Sequence, residues 1–292
     1  MKKIKSVLSL LFATYIVKKN KSWKKNPLFY QKKIMLELLS KAKNTSFGNE
    51  HSFKNIKTYD DFKKNIPIRD YEEFTNYIEL IKSGKDNVLW PGAPKYLCKT
   101  SGTTSGTKYI PLTNESIKNH LIPARDAILS YLNETKNSSI LTGKMIFLQG
   151  SPKLDYINKI AIGRLSGIVA HHIPFYLKSN RLPSYENNCI EDWEEKVDAI
   201  VDETKNENMS LISGIPPWVQ MYFEKLIEKS GKSIKTLFPN FKLFIYGGVN
   251  YEPYKKTFER LIGGAVDGVE VYPASEGFIA YQDSQKEKGM IL

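Results

Sequence analysis

The chain has 292 residues, 41% of them hydrophobic and 25% charged, with 17 Tyr and 14 Phe to build a core. Such a composition argues against a disordered, collagenous or membrane-spanning chain and leaves room for one large or two ordinary domains. The net charge of +12 is concentrated at one end: residues 1–36 hold ten lysines and no acid, which argues against a nucleic-acid surface spread over the fold.

In chain order, Ile4, Val7, Leu8, Leu11, Phe12, Tyr15 and Ile16 recur at helical spacing. They predict an amphipathic helix whose apolar face docks on the domain. The apolar run from Val7 to Val17 is too short to span a bilayer, and lysines rather than a cleavage site follow it. The lysines read as a solvated helix face rather than a membrane or RNA contact. A second helix is predicted over residues 28–43, then a polar loop from Asn44 to His51. Thr58 and Asp61 can cap a short helix, and Asp70 can cap another from Tyr71 to about Lys82. Gly84, Pro91, Gly92 and Pro94 punctuate the next connection. Residues 1–95 therefore read as a mainly helical N-terminal region.

Beyond them the texture becomes α/β, and residues 96–292 read as one α/β region. Lys95–Cys98 and Tyr109–Leu112 are strand candidates, followed by a helix from Asn114 to Leu132 and a buried strand from Lys144 to Leu148. Helices are predicted over Glu191–Glu203, Val219–Lys229 and Tyr254–Ile262. Between and after them lie strands at Leu211–Ile212, Leu243–Tyr246 and Val269–Tyr272. Strands alternating with helices, several ending in Gly or Pro, predict a mostly parallel sheet with flanking helices. Ligands in such sheets sit beyond the strands' carboxyl ends, here Gln149-Gly150, Ser213-Gly214, Gly247-Gly248 and Pro273 to Gly277.

Three segments carry chemistry. In Thr100-Ser-Gly-Thr-Thr-Ser-Gly-Thr-Lys108, glycines let backbone N–H groups turn toward an anion, hydroxyls add donors, and Lys108 brings a full charge to a phosphate. The spacing is not that of a Walker loop, and a strand rather than a helix follows. A solvated Ser/Thr-rich turn is the plainer reading of the tract alone. In Tyr272-Pro-Ala-Ser-Glu-Gly277, a carboxylate at a strand's end suits a divalent cation on phosphate oxygens, or merely a helix N-terminus. In Tyr246-Gly-Gly-Val249, paired glycines either admit a flat ligand or simply end a strand.

The remaining candidates are weaker. Cys98 and Cys189 lie far apart, so neither a disulfide framework nor a zinc site is expected, and a cytoplasmic location follows as the default. Cys98 reads as a buried small residue. The neighbours His171 and His172 point to different faces, which disfavours joint metal ligation, although one can line an acyl pocket. Trp218 reads as packing.

The ordered set of motifs resembles the adenylate-forming superfamily, and more closely the acyl-acid amido synthetases that conjugate auxin and jasmonate, in a bacterial-type version. The resemblance runs from about Leu36 to Leu292. It rests on Asn44–Gly48, Tyr71 to Gly92 with Val88–Gly92, Thr100–Pro111, Ser213–Trp218, Tyr246–Gly248 and Tyr272–Gly277. It implies a large N-terminal α/β domain of an adenylate-forming enzyme and a two-step reaction. A carboxylic acid attacks the α-phosphate of ATP, giving acyl-AMP and pyrophosphate. An amine, usually an amino acid's, then displaces AMP to form an amide.

On that resemblance Ser101, Gly102, Thr103, Thr104, Ser105, Gly106, Thr107 and Lys108 hold the β- and γ-phosphates. Tyr246, Gly247 and Gly248 line the adenine pocket, and Tyr272 flanks the base. Ser275 lies near the α-phosphate and Glu276 holds Mg²⁺, so Lys108, Ser275 and Glu276 carry the chemistry. The implied partners are a small carboxylic acid and an amine, with no nucleic acid. Family members continue past the position of Leu292 to a later ribose-binding acid, a hinge and a small lid with a functional lysine. The expectation is an incomplete domain without the lid. A thioester-forming ligase and an inactive remnant are the alternatives.

Overall fold

The computed structural model describes residues 2–101 and 106–292. The chain forms two compact units that interleave along the sequence. One comprises Met1–Val17, Lys118–Lys153 and Arg164–Leu292; the other comprises Lys18–Ile117 and Leu154–Gly163.

The second unit holds a four-stranded sheet. Its strands are β1 (Tyr96–Ser101), β2 (Thr107–Leu112), β4 (Asp155–Ile157) and β5 (Ile160–Gly163), in the order β2-β1-β5-β4. β1 and β2 pair antiparallel from Tyr96 opposite Leu112 to Ser101 opposite Thr107, whereas β1 and β5 run parallel. Phe47, Tyr77, Ile81, Val88, Leu97, Ile160 and Ile162 form its core. Helices at Pro27–Ala42, Tyr59–Asn65 and Thr75–Lys82 agree with the sequence pattern. Thr58 and Asp61 form the reciprocal capping box. Asp70 accepts the Glu73 N–H at 3.1 Å, but a short 3₁₀ turn, Glu72–Phe74, precedes the α-helix there.

The expected loop at Asn44–His51 is instead a short helix, Ser46–Glu50. Thr45 caps it by accepting the Gly48 N–H at 2.9 Å, and Phe47 plugs the core. A side chain on Gly48 would overlap the Ala42 carbonyl, so the polar look of this segment reflects a cap and a close approach rather than solvation.

The first unit is built on a six-stranded sheet. It adds β3 (Lys144–Leu148), β6 (Arg181–Leu182), β7 (Met209–Gly214), β8 (Leu243–Gly247), β9 (Asp267–Pro273) and β10 (Phe278–Tyr281). The order is β10-β9-β8-β7-β3-β6, parallel except for the antiparallel β10. Alternate residues face opposite layers. Ile146, Ile212 and Phe244 join a cluster with Tyr222, Phe223, Phe241 and Phe258. Met145, Leu211, Leu243 and Ile245 join one with Ala13, Ile16, Tyr131 and Leu132. Both faces are covered, which explains why these strands read as continuous apolar runs. Gly289–Leu292 contributes a single bridge, Ile291 to Tyr281.

The first helix, Lys2–Lys25, corrects the expected docking face. Ala13 and Ile16 are buried with Leu10 against them, while Val7, Leu8, Leu11, Phe12 and Tyr15 are 44 to 63% exposed. Apolar residues nearly encircle this segment, so hydrophobicity alone does not choose a side. Small Ala13 permits close packing, and Thr14 fixes the choice by donating to Asn133 Oδ1 at 3.0 Å. Among the described residues no helix is long and apolar enough to cross a membrane.

Candidate active site

The parallel order β3-β7-β8-β9 sets Gln149-Gly150, Ser213-Gly214, Gly247-Gly248 and Pro273–Gly277 along one end of the six-stranded sheet. The register pairs Tyr246 with Glu270 and Gly247 with Val271, so Tyr272 follows on the neighbouring strand at the level of Gly248. A Cβ on Gly247 would overlap the Val271 carbonyl oxygen, and Gly248 has φ +81° with Ile215 beside it. The pair is thus required by the backbone itself.

The Tyr246 ring lies 4.3 Å from that of Tyr251 and 5.2 Å from Phe244. Burial, with Glu270 and Glu252 nearby, pushes its hydroxyl up to about 12. Tyr272 is exposed. Beyond it Ala274 and Gly277 exchange backbone hydrogen bonds of 2.9 and 3.2 Å, closing a tight turn with Ser275 and Glu276 at its tip. Glu276 is exposed there. Among the described residues no three His, Cys, Asp or Glu side chains gather as a metal site. Glu276 offers a cation one carboxylate, so water and substrate oxygens would have to supply the rest of its shell.

In the other unit, Thr107 and Lys108 open β2 opposite Ser101 and Thr100, and Gly106 has φ +83°. Gly102, Thr103, Thr104 and Ser105 lie outside the described residues. Lys108 Nζ stands 3.6 Å from Glu72 and 5.0 Å from the centre of the Tyr71 ring. Tyr71 itself receives the Tyr109 N–H at 2.7 Å, which ties the 71–74 turn to the strand after the loop.

The other candidates make local contacts. His171 Nε2 meets the Pro152 carbonyl at 2.7 Å. Trp218 stacks on Trp193 with centroids 4.5 Å apart, and Cys98 is fully buried and unbridged.

Two buried groups carry no sequence motif. Lys196, on the helix Trp193–Thr204, donates to the carbonyls of Asn188 at 2.6 Å and Gln149 at 3.1 Å. Burial pulls its amine from 10.5 down to about 8. Between those values the unfolded chain binds more protons, so this group makes stability rise with pH from about 8 toward 10.5, by at most about 1.4 kcal/mol per pH unit. Below that window its contribution is flat. Urea titrations across the window will show this rise in the wild type and its loss in Lys196→Met; equal slopes in both would remove the assignment.

The second group is His120, on the helix Asn114–Thr135, 3% exposed with no partner for either ring nitrogen among the described residues. Its one legible signal is its place three residues after buried Ile117, on the apolar side of the helix.

A model of the GH3 family N-terminal domain matches residues 17–153 and 138–266. The chain belongs to the GH3 family. The matched stretch takes in the Ser101–Lys108 loop and Tyr246–Gly248 and stops short of Tyr272–Gly277. This GH3 chain is 39% identical over 62 residues to the indole-3-acetic acid-amido synthetase GH3.15 of Arabidopsis thaliana, over 20% of its own length and 10% of that protein's. Its fold matches a structure of the GH3.15 acyl acid amido synthetase in complex with 2,4-DB at a TM-score of 0.69, with 15% identity over 87% of this chain and 54% of that one. It also matches 2-hydroxyisobutyryl-CoA ligase in complex with 2-HIB-AMP and CoA, at a TM-score of 0.58 and 12% identity over 91% of this chain and 54% of that one. The GH3 chain thus spans about half the length of these solved relatives. The likeness establishes the expected α/β fold of the N-terminal part of such enzymes.

Proposed function

We propose that the protein is an ATP-dependent ligase that adenylates a small carboxylic acid and passes the acyl group to an amine, an amino acid, forming an amide. GH3 family membership carries this reading. The amido synthetase activity of the Arabidopsis relative and the AMP conjugate in the CoA ligase structure agree with it. In the first step a carboxylate oxygen attacks the α-phosphorus and pyrophosphate leaves. In the second, the amine attacks the acyl carbon, loses a proton, and AMP leaves.

The roles we assign follow the chemistry of each position. The Ser101–Lys108 loop takes the β- and γ-phosphates, with backbone donors and the Lys108 charge. Tyr246, Gly247, Gly248 and Tyr272 receive the adenine. Ser275 serves the α-phosphate, and Glu276 would hold Mg²⁺, which supplies charge neutralisation where negative charge develops. ATP and free amino acids are cytoplasmic substrates, and we place the protein there.

Carboxylate-dependent exchange of pyrophosphate into ATP tests the first step. AMP release that requires an amino acid supports the amide reading, whereas release that requires coenzyme A would replace it with a thioester ligase. No exchange with any acid would leave the chain without this activity. Lys108→Ala tests the loop separately. Calorimetry should show ATP affinity falling at least about tenfold, the scale of one lost charged hydrogen bond, with acid affinity unchanged. Unaltered ATP affinity would sink the loop assignment.

A further inference from the structure

His120 combines three properties that a packing residue does not need. It is 3% exposed, both ring nitrogens lack partners among the described residues, and its helix runs back along β9, with Tyr131 donating to Asp267 at that strand's start, toward the end where Glu276 stands. Burial lowers its proton affinity against the pull of Glu276, which leaves a neutral ring with one N–H donor and one lone pair. An unsatisfied buried polar group destabilises the fold, and a leucine at this helical position would incur no such cost. Both His120 and the Ser275-Glu276 turn belong to the first unit, the turn standing at the carboxyl end of β9.

We propose that the His120 N–H holds the carboxylate of the acid substrate beside the Ser275-Glu276 turn; the inference rests on the adenylation reading above. The attacking carboxylate must reach the α-phosphate, to which that turn is assigned. A neutral donor orients a carboxylate while leaving its charge for attack, which an ammonium or guanidinium would partly neutralise. The phosphates are assigned to the Ser101–Lys108 segment and call for no buried imidazole.

The decisive measurement uses the whole chain, labelled with ¹⁵N-histidine. Benzoate, phenylacetate, hexanoate and indole-3-acetate are added in turn, with MgATP binding followed separately by calorimetry. At least one acid should shift the His120 ring nitrogens. His120→Leu should bind that acid about 10- to 100-fold more weakly, keep its ATP affinity and melt no lower than the wild type. His120→Gln, which restores an N–H, should recover most of the loss. If ATP binds and none of the four acids moves the ring signals, the His120 proposal is overturned and the adenylation reading stands. If His120→Leu loses ATP and acid affinity alike, the residue is structural and the proposal is overturned. If the wild type binds no ATP, the adenylation reading itself fails and takes the proposal with it.

Discussion

Glu276→Gln will lower Mg²⁺-supported, carboxylate-dependent pyrophosphate exchange by at least about a hundredfold and leave the urea midpoint in place. The side chain is exposed at the tip of the turn closed by Ala274 and Gly277, so the isosteric amide disturbs no core. What it removes is the anionic ligand proposed for the cation. Several kcal/mol of transition-state stabilisation can depend on a metal at a phosphoryl centre, and about 2.7 kcal/mol corresponds to a hundredfold. Exchange rates of wild type and variant at saturating ATP, read over a Mg²⁺ series, decide the matter. A parallel loss at all Mg²⁺ levels with a lowered midpoint would make Glu276 structural, and an unchanged rate would remove it from the chemistry.

Gly247→Ala should destabilise the first unit by about 3 kcal/mol or more, the upper range of overpacking penalties. The added methyl would occupy the space of the Val271 carbonyl oxygen, a backbone atom of the paired strand that cannot turn aside. Gly248→Ala should cost less, about 1 to 2 kcal/mol, because its conflict is the left-handed φ of +81° and the movable Ile215 methyl. Gly277→Ala should be neutral, with open space around its Cβ and no positive φ. Urea denaturation of the three variants should give that order. A neutral Gly247→Ala would mean that the strands β8 and β9 are not in this register.

Much of this architecture was legible because its causes are local. The apolar runs at Lys144–Leu148 and Leu243–Tyr246 are ended by glycines, and both faces of their sheet are covered. The caps at Thr58 and Asp70 need only residues within one turn. Features set by distant partners were not legible. β5 pairs in parallel with β1 across a gap of some sixty residues, and nothing in Ile160–Gly163 announces that partner. β6 is two residues long and exists only because β3 lies beside it. The first helix offers apolar side chains on nearly every side, so Leu8 and Leu11 outweigh Ala13 in any hydrophobic count although Ala13 is the residue that packs. For the site, the glycine and acidic motifs stand out because they break the pattern of their neighbours. His120 fits its helix face and so passes unnoticed until its unpaired nitrogens are seen.

The placement of Ala13 and Ile16 has a consequence for biosynthesis. Their cluster includes Leu243 and Ile245 of β8 and Val269 of β9, which leave the ribosome more than two hundred residues later. At about 5–20 residues per second, the first helix waits on the order of 10–50 s for those partners. Until the helix Asn114–Thr135 emerges to offer Tyr131 and Leu132, the buried face and the stripe of Val7, Leu8, Leu11, Phe12 and Tyr15 are open together on a segment rich in lysine. The nascent chain therefore presents a basic, apolar helix to chaperones well before its sheet can claim it.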